Sequence, residues 1–256
     1  MMFGLEKKLF NQILKLRDEY GLQGIKAEFE AEGSSYADLV RLRRLTDRAG
    51  IGLFLKIGGV EAVRDLKDAL ELGVDGLIAP MAESPFGIEK FYAAYRKIFG
   101  DHQVHLSVNL ETRTAAEKPD EYMNYAKGRI NNITVGRSDL SASYFDSSLV
   151  PDSPFILDLI EKLAQKAIER DLTITVGGKI TVRSLELLRE RPHLTSMISR
   201  LETRKVILPT DSMLAGKEAL QSALRFEELY ILSKKEFSDN AMKAELSRLT
   251  DLQRRQ

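Results

Sequence analysis

The chain has 256 residues, 43% of them hydrophobic and 30% charged, an ordinary balance for a soluble globular protein. Lysine plus arginine equals aspartate plus glutamate at 38 each, which argues against nucleic acid or a membrane surface as a partner held by bulk charge. The lack of cysteine excludes disulfides, thiolate nucleophiles and Cys-based zinc or iron–sulfur centres, and three scattered histidines are a poor basis for a His-rich metal site.

The N-terminal stretch MMFGLEKKLFNQILKLRDEYG is amphipathic and mixed in charge, and no apolar run approaches the ~18 residues of a membrane span. A folded helix of a cytoplasmic protein is expected there. Short β-branched runs then alternate with amphipathic helical ones. Strands are predicted at 24–30, 51–57, 75–80, 104–111, 132–136, 172–178, 196–200 and 205–209. Helical periodicity fills the intervals, clearest over 36–50, 60–73 and 153–171, and several of these helices stop at or before a glycine. Eight such units match an α/β fold of the (β/α)8 TIM-barrel type with an N-terminal helix and a C-terminal helical arm; a doubly wound open sheet is the rival. No linker splits the chain, so residues 1–256 are expected to form a single domain, with the barrel at about 21–237 and the arm at 238–256.

Residues 211–237 are apolar around much of the helical circumference, and Ala241, Met242, Leu246, Leu249 and Leu252 follow at three- or four-residue spacing. That is either a last barrel helix with a frayed tail or an arm packing on another subunit, and the excess of apolar surface favours a homo-oligomer.

Side-chain alternation sorts each strand into two faces. Lys26, Glu28 and Glu30 oppose Ile25, Ala27 and Phe29; His105, Ser107, Asn109 and Glu111 oppose Val104, Leu106, Val108 and Leu110; Thr173 and Thr175 oppose Ile174 and Val176. The apolar sets must face the helices, which leaves a polar lumen where barrels of this kind usually hold Val, Ile and Leu. Buried charges need partners, a metal or a wet cavity. An internal ion-pair network, Lys26 with Glu28 and Glu30, is one solution; a site for a charged ligand is the other.

Active sites of this fold lie at the C-terminal strand ends. The residues there are Glu30 and Glu32, Lys56, Glu83, Asn109 with Glu111, the run Arg137–Ser138–Asp139, Lys179 and Arg200. Glu111 and Asp139 end adjacent strands, a placement suited to a hard cation such as Mg2+ or Mn2+ with positions open to substrate oxygens. Arg137 and Lys56 would then face an anionic substrate. Two Gly-Gly pairs, in KIGGVEAV (56–63) and VGGKITV (176–182), follow strands and either offer free N–H groups to an anion or simply make tight turns. Gly-rich nucleotide-binding motifs are absent.

The segments LGVDGLIAPMAES (72–84), VNLETRTA (108–115) and ITVGRSDLSASY (133–144), in that order, resemble the HpcH/HpaI family of metal-dependent pyruvate aldolases and citrate lyase β-subunits. The resemblance implies that Glu111 and Asp139 bind the divalent metal and that Asn109 contacts substrate. It also implies that Lys56 stands where an arginine usually holds the 2-oxoacid, and that Ser138 and its neighbours take the carboxylate through backbone N–H groups. Trimeric or hexameric assembly is implied as well. The aldolases carry a Glu-His pair after the first strand; here EFEAEGSSYADL has no histidine and is nearer the acidic segment of the citrate-lyase members.

The expected function is therefore a Mg2+- or Mn2+-dependent carbon–carbon lyase or aldolase acting on a 2-oxoacid or related carboxylate through a metal-stabilised enolate. Glu30, Glu32, Lys56 and Arg137 are its catalytic candidates, and Asn109, Ser138, Lys56, Lys179 and Glu83 its substrate-binding ones. With no histidine to serve, Glu30 or Glu32 is the candidate base, its pKa raised by neighbouring carboxylates. Two alternatives stand beside it. One is an acyl-CoA lyase or phosphosugar enzyme, for which VRLRRLTDR (40–48) would supply a basic groove if it is more than a solvated helix face. The other is a non-catalytic metabolite-binding barrel.

Overall fold

A computed structural model describes residues 4–29 and 31–255. The chain opens with α1 (Gly4–Tyr20) and then builds β1 (Gly24–Glu28), α2 (Tyr36–Ala49), β2 (Leu53–Lys56), α3 (Val63–Leu72) and β3 (Gly76–Ala79). It continues through α4 (Pro85–Phe99), β4 (His105–Leu110), α5 (Arg113–Glu117), α6 (Pro119–Ala126) and β5 (Asn132–Gly136). Next come α7 (Arg137–Ala142), α8 (Pro154–Ile168), β6 (Thr173–Gly177), α9 (Val182–Arg189) and α10 (Pro192–Met197). Two short strands, β7 (Arg200–Glu202) and β8 (Val206–Pro209), precede α11 (Thr210–Ala215) and α12 (Lys217–Gln253).

The strands close into one barrel in sequence order, as expected. Local chemistry sets the helix limits. Ser35 and Asp38 cap the start of α2 reciprocally, and Gly50 and Gly73 end α2 and α3 in the left-handed conformation that a side chain disfavours. Ile25, Leu55, Leu77, Val108, Val135, Ile174 and Leu201 are fully buried between strands and helices, so the apolar parity does face outward.

One strand departs from the repeating unit. β1 to β7 run parallel, whereas β8 is antiparallel to both β7 and β1. Only Thr203–Lys205 separate β7 from β8, and a parallel crossover needs a dozen or more residues, so the chain must turn back as a hairpin. The hairpin stands at the mouth, β8 descends, and α12 rises beside it. Leu5 N–H donates to Glu236 (3.2 Å) and Gln12 to the Ser222 carbonyl (2.9 Å), which makes α1 and α12 an antiparallel pair. Beyond Phe237 every described residue of α12 is exposed, so the arm continues that helix without a break.

The floor is filled rather than open. The Phe54 ring lies between Gly24 and Gly76, where a Cβ on either would overlap it, and His105 meets it edge-on with ring centroids 5.7 Å apart. Arg200 begins β7 instead of ending a strand, which corrects its expected place at the mouth: Pro192 starts α10, which occupies 192–197, and delays the strand. Burial, with the Arg200 charge nearby, lowers the His105 pKa to about 4.

That depression fixes a pH dependence. As pH falls below ~6.5 the unfolded chain binds a proton at His105 that the folded protein refuses, so its stabilising contribution is lost between about 6.5 and 4. Urea unfolding of wild type and His105→Phe from about pH 7 to about pH 4.5 is expected to show the wild type losing more stability, because the variant cannot titrate there. Parallel declines would contradict the assignment.

Candidate active site

The lumen is polar and its groups are largely paired. Lys26 contacts Glu202 at 2.6 Å and Glu28 at 3.8 Å. Burial pulls the Lys26 ammonium down, but the Glu202 and Glu28 carboxylates outweigh it and its pKa ends above the ordinary lysine value. Across the lumen Asn132 donates to Ser107 (2.8 Å) and Thr134 (3.1 Å), and its carbonyl accepts from Thr173 (2.9 Å) and Thr175 (3.0 Å). The expected network exists with Glu202 as a member; Glu30 lies outside the described residues. Alternation in SRLETRK placed Glu202 on the inner face, a signal that an assumed strand end at 200 concealed.

At the mouth, Glu111 is buried and positioned by three features. Its Oε1 accepts from Met81 N–H and its Oε2 from the Asn109 amide, both at 3.0 Å. The third is Gly136 on the neighbouring strand: a Cβ there would sit 2.7 Å from Glu111 Oε2, so glycine makes room for the carboxylate. Burial raises the Glu111 pKa above the ordinary carboxyl value; Lys56 and the two hydrogen bonds oppose the rise and the Asp139 charge adds to it. Asp139, in the first turn of α7, is exposed at the same rim. Asn109 Oδ1 is buried with no hydrogen-bond partner.

Among the described residues no group of three or more His, Cys, Asp or Glu side chains converges as a metal cage. A cation held by Glu111 and Asp139 would therefore take most of its shell from water and ligand oxygens, the habit of Mg2+. The donor chemistry fits such an ion: two hard oxygens, one lifted toward protonation because nearby positive charge does not fully offset its burial.

The other candidates divide. Lys56, half-buried at the end of β2, acts electrostatically on Glu111. Ser138 Oγ is buried without a partner, and exposed Lys179 lines a cavity beside it. Glu83 is exposed on the turn after β3. Glu32 is not turned toward Glu111: its carboxylate pairs with buried Lys205, which lies 4.3 Å from the Tyr230 ring on α12. A carboxylate, Glu227, does stand near it, but the group in direct contact is the Lys205 cation, which the sequence pattern does not announce.

Arg137 is the clearest correction. It is fully buried, and its guanidinium reaches Gly177 O (3.1 Å), Gly178 O (2.8 Å) and Asp152 (2.5 Å). It clamps the β6 turn and has no face left for substrate. The second Gly-Gly pair is the object of that clamp, while Gly58 N–H of the first is taken by Asp65 at 2.7 Å. Both are turns with partners. The arginines of VRLRRLTDR are likewise engaged: Arg41 with Asp38, Arg43 with Asp75, Arg44 with Glu6, and Arg48 over the Phe10 ring. That run is an ion-paired helix face and makes no nucleotide groove.

The fold is shared with solved proteins at low sequence identity. An HpcH/HpaI aldolase from Desulfitobacterium hafniense DCB-2 superposes with a TM-score of 0.59 at 15% identity, covering 76% of this chain and 82% of its own. An HpcH/HpaI aldolase/citrate lyase family protein from Burkholderia cenocepacia J2315 gives 0.58 at 15% identity over 83% and 89%. The citrate synthase SbnG gives 0.60 at 11% identity over 91% and 90%. No protein-family profile matches the sequence, and no curated protein matches it. No helix of the described residues is long and apolar enough to cross a membrane.

Removing the Arg137 charge tests its structural role. Arg137→Met takes the guanidinium from the Gly177 and Gly178 carbonyls and from Asp152, which keeps only its bond from Ser184 Oγ (2.8 Å), and is expected to cost about 3 kcal/mol of unfolding free energy, with Arg137→Lys intermediate. A variant of wild-type stability that has lost only ligand binding would return Arg137 to the substrate.

Proposed function

We propose that the protein is a carbon–carbon lyase or aldolase that takes a 2-oxoacid or related carboxylate, with Mg2+ or Mn2+ held by Glu111 and Asp139. The observation that carries this is Glu111: a buried carboxylate with a raised pKa, beside Asp139, in the mouth of a barrel whose fold matches those of aldolase and citrate lyase family proteins. When bound, the ion supplies Lewis-acid character, drawing electron density from the substrate's oxo group as negative charge develops.

The chain's own residues do the rest. The Asn109 amide N–H fixes Glu111 Oε2 and leaves Asn109 Oδ1 to accept from the substrate. Lys56 places positive charge near the developing anion, where it helps the transition state more than the ground state. Ser138 Oγ and the Lys179 ammonium meet the carboxylate. With Glu32 tied to Lys205, removal of the substrate hydroxyl proton is assigned to Glu30.

Exposed Met242, Leu246, Leu249 and Leu252 form one stripe on the projecting arm. An apolar stripe left in water forgoes its burial energy, so we assign it to contact with further copies of the chain, a trimer or hexamer. Light scattering on Leu246→Glu/Leu249→Glu is expected to report a smaller assembly than wild type; an unchanged mass would remove the arm from the interface.

The function is tested by deuterium exchange into pyruvate C3. Exchange is expected with Mg2+ and wild type, and a loss of about 100-fold or more with Glu111→Gln. A raised carboxyl pKa means that the metal-free fold loses stability as pH rises through that value, so Mg2+ should raise the Tm more at about pH 7.5 than at about pH 5. In Glu111→Gln that difference should vanish. Binding of 2-oxoacids without any exchange would favour a non-catalytic, metabolite-binding barrel.

A further inference from the structure

A cavity of about 450 Å3 opens one residue away from Asp139, between α7, the segment 143–153 that follows it, and the turn after β6. The size lies within the ~300–1,000 Å3 of small-molecule sites. Its walls are chemically divided. On one side stand Ser138, whose Oγ is buried and unpartnered, and Lys179, which has no ion-pair partner among the described residues; on the other Phe145, Leu149 and Val150 supply apolar surface, interrupted by Ser147 and by Asp146, whose carboxylate is engaged by Ser148.

Two residues of this cavity are held at a cost. Phe145 sits at φ 55° with its side chain 97% exposed, and Lys179 at φ 48°. A non-glycine residue in the left-handed region costs on the order of 1 kcal/mol, and a phenyl ring left in water forfeits its burial energy as well. The segment is nonetheless ordered by its own bonds. Asp146 accepts from Ser148 N–H (2.9 Å) and Oγ (2.7 Å), and Ser153 Oγ accepts from Val150 N–H (2.8 Å). The cavity is preformed, and at its edge stand an exposed aromatic ring and a cation with no ion-pair partner among the described residues.

We propose that this cavity is a subsite for the substrate's carbon chain, so that the acid handled at Glu111 and Asp139 carries a medium-length alkyl or an aryl group rather than the methyl of pyruvate. The carboxylate lies against Ser138 Oγ and Lys179, the oxo group turns toward the acidic pair, and the chain runs over Leu149 and Val150 beneath the Phe145 ring. The inference rests on the proposed 2-oxoacid chemistry for its polar end alone.

Calorimetric titration of wild type with Mg2+ tests it, using pyruvate, 2-oxobutanoate, 2-oxohexanoate, 2-oxooctanoate and phenylpyruvate, and the straight-chain acids of equal length without the oxo group. The expected result is a Kd that falls about two- to four-fold per methylene in both series until the cavity is filled. In Val150→Asp the gradient should disappear. Affinities that ignore chain length in wild type overturn the subsite. A gradient in both series, with no gain from the oxo group when Mg2+ is present, upholds the subsite and overturns the lyase proposal; no binding by any member overturns both.

Discussion

A carboxylate taken out of water loses several kcal/mol of solvation, and the mouth of this barrel is arranged around one such loss. Glu111 receives two hydrogen bonds and part of the Lys56 field, yet its pKa still lies above that of an ordinary carboxyl group. Gly136 forgoes a side chain to admit it. A site that only needed stability would have an apolar residue here, as barrel interiors usually do. A cation of the kind proposed above would complete the arrangement by offsetting that buried charge.

The remaining lumen charges behave differently. Lys26, Glu28 and Glu202 satisfy one another, and the Asn132 cluster joins three strands without any ionised group. These layers are a polar core, closed below by Phe54. The proposed site is thereby placed at the rim, where Lys56, Asn109, Glu111, Ser138, Asp139 and Lys179 stand. Arg137 serves the rim from behind by bracing the turn from which Lys179 projects.

Much of this was legible in the sequence because alternation is a direct consequence of the pleat. NITVG was bounded to the residue at 132–136, and the polar parity of IKAE and HLSVNL correctly announced a charged lumen. Direction was harder. Eight apolar runs suggest eight parallel strands, and only the three-residue spacing between RLE and VILP reveals that the last one must reverse. Side-chain destination was hardest of all. Arg137 follows a strand end as a substrate-binding arginine would, but it occupies the first turn of α7 and extends to β6, and no local pattern encodes Asp152 as its partner. The ion pair of Glu32 is hidden for the same reason, since its partner Lys205 comes from a hairpin 173 residues away.

Anomalous diffraction from a crystal soaked in Mn2+ bears on the central claim most directly. A single strong peak is expected in the barrel mouth, within about 2.0–2.3 Å of carboxylate oxygens from both Glu111 and Asp139, with water in the other positions. A mouth without that peak at saturating Mn2+, or a peak held by other side chains, would contradict it.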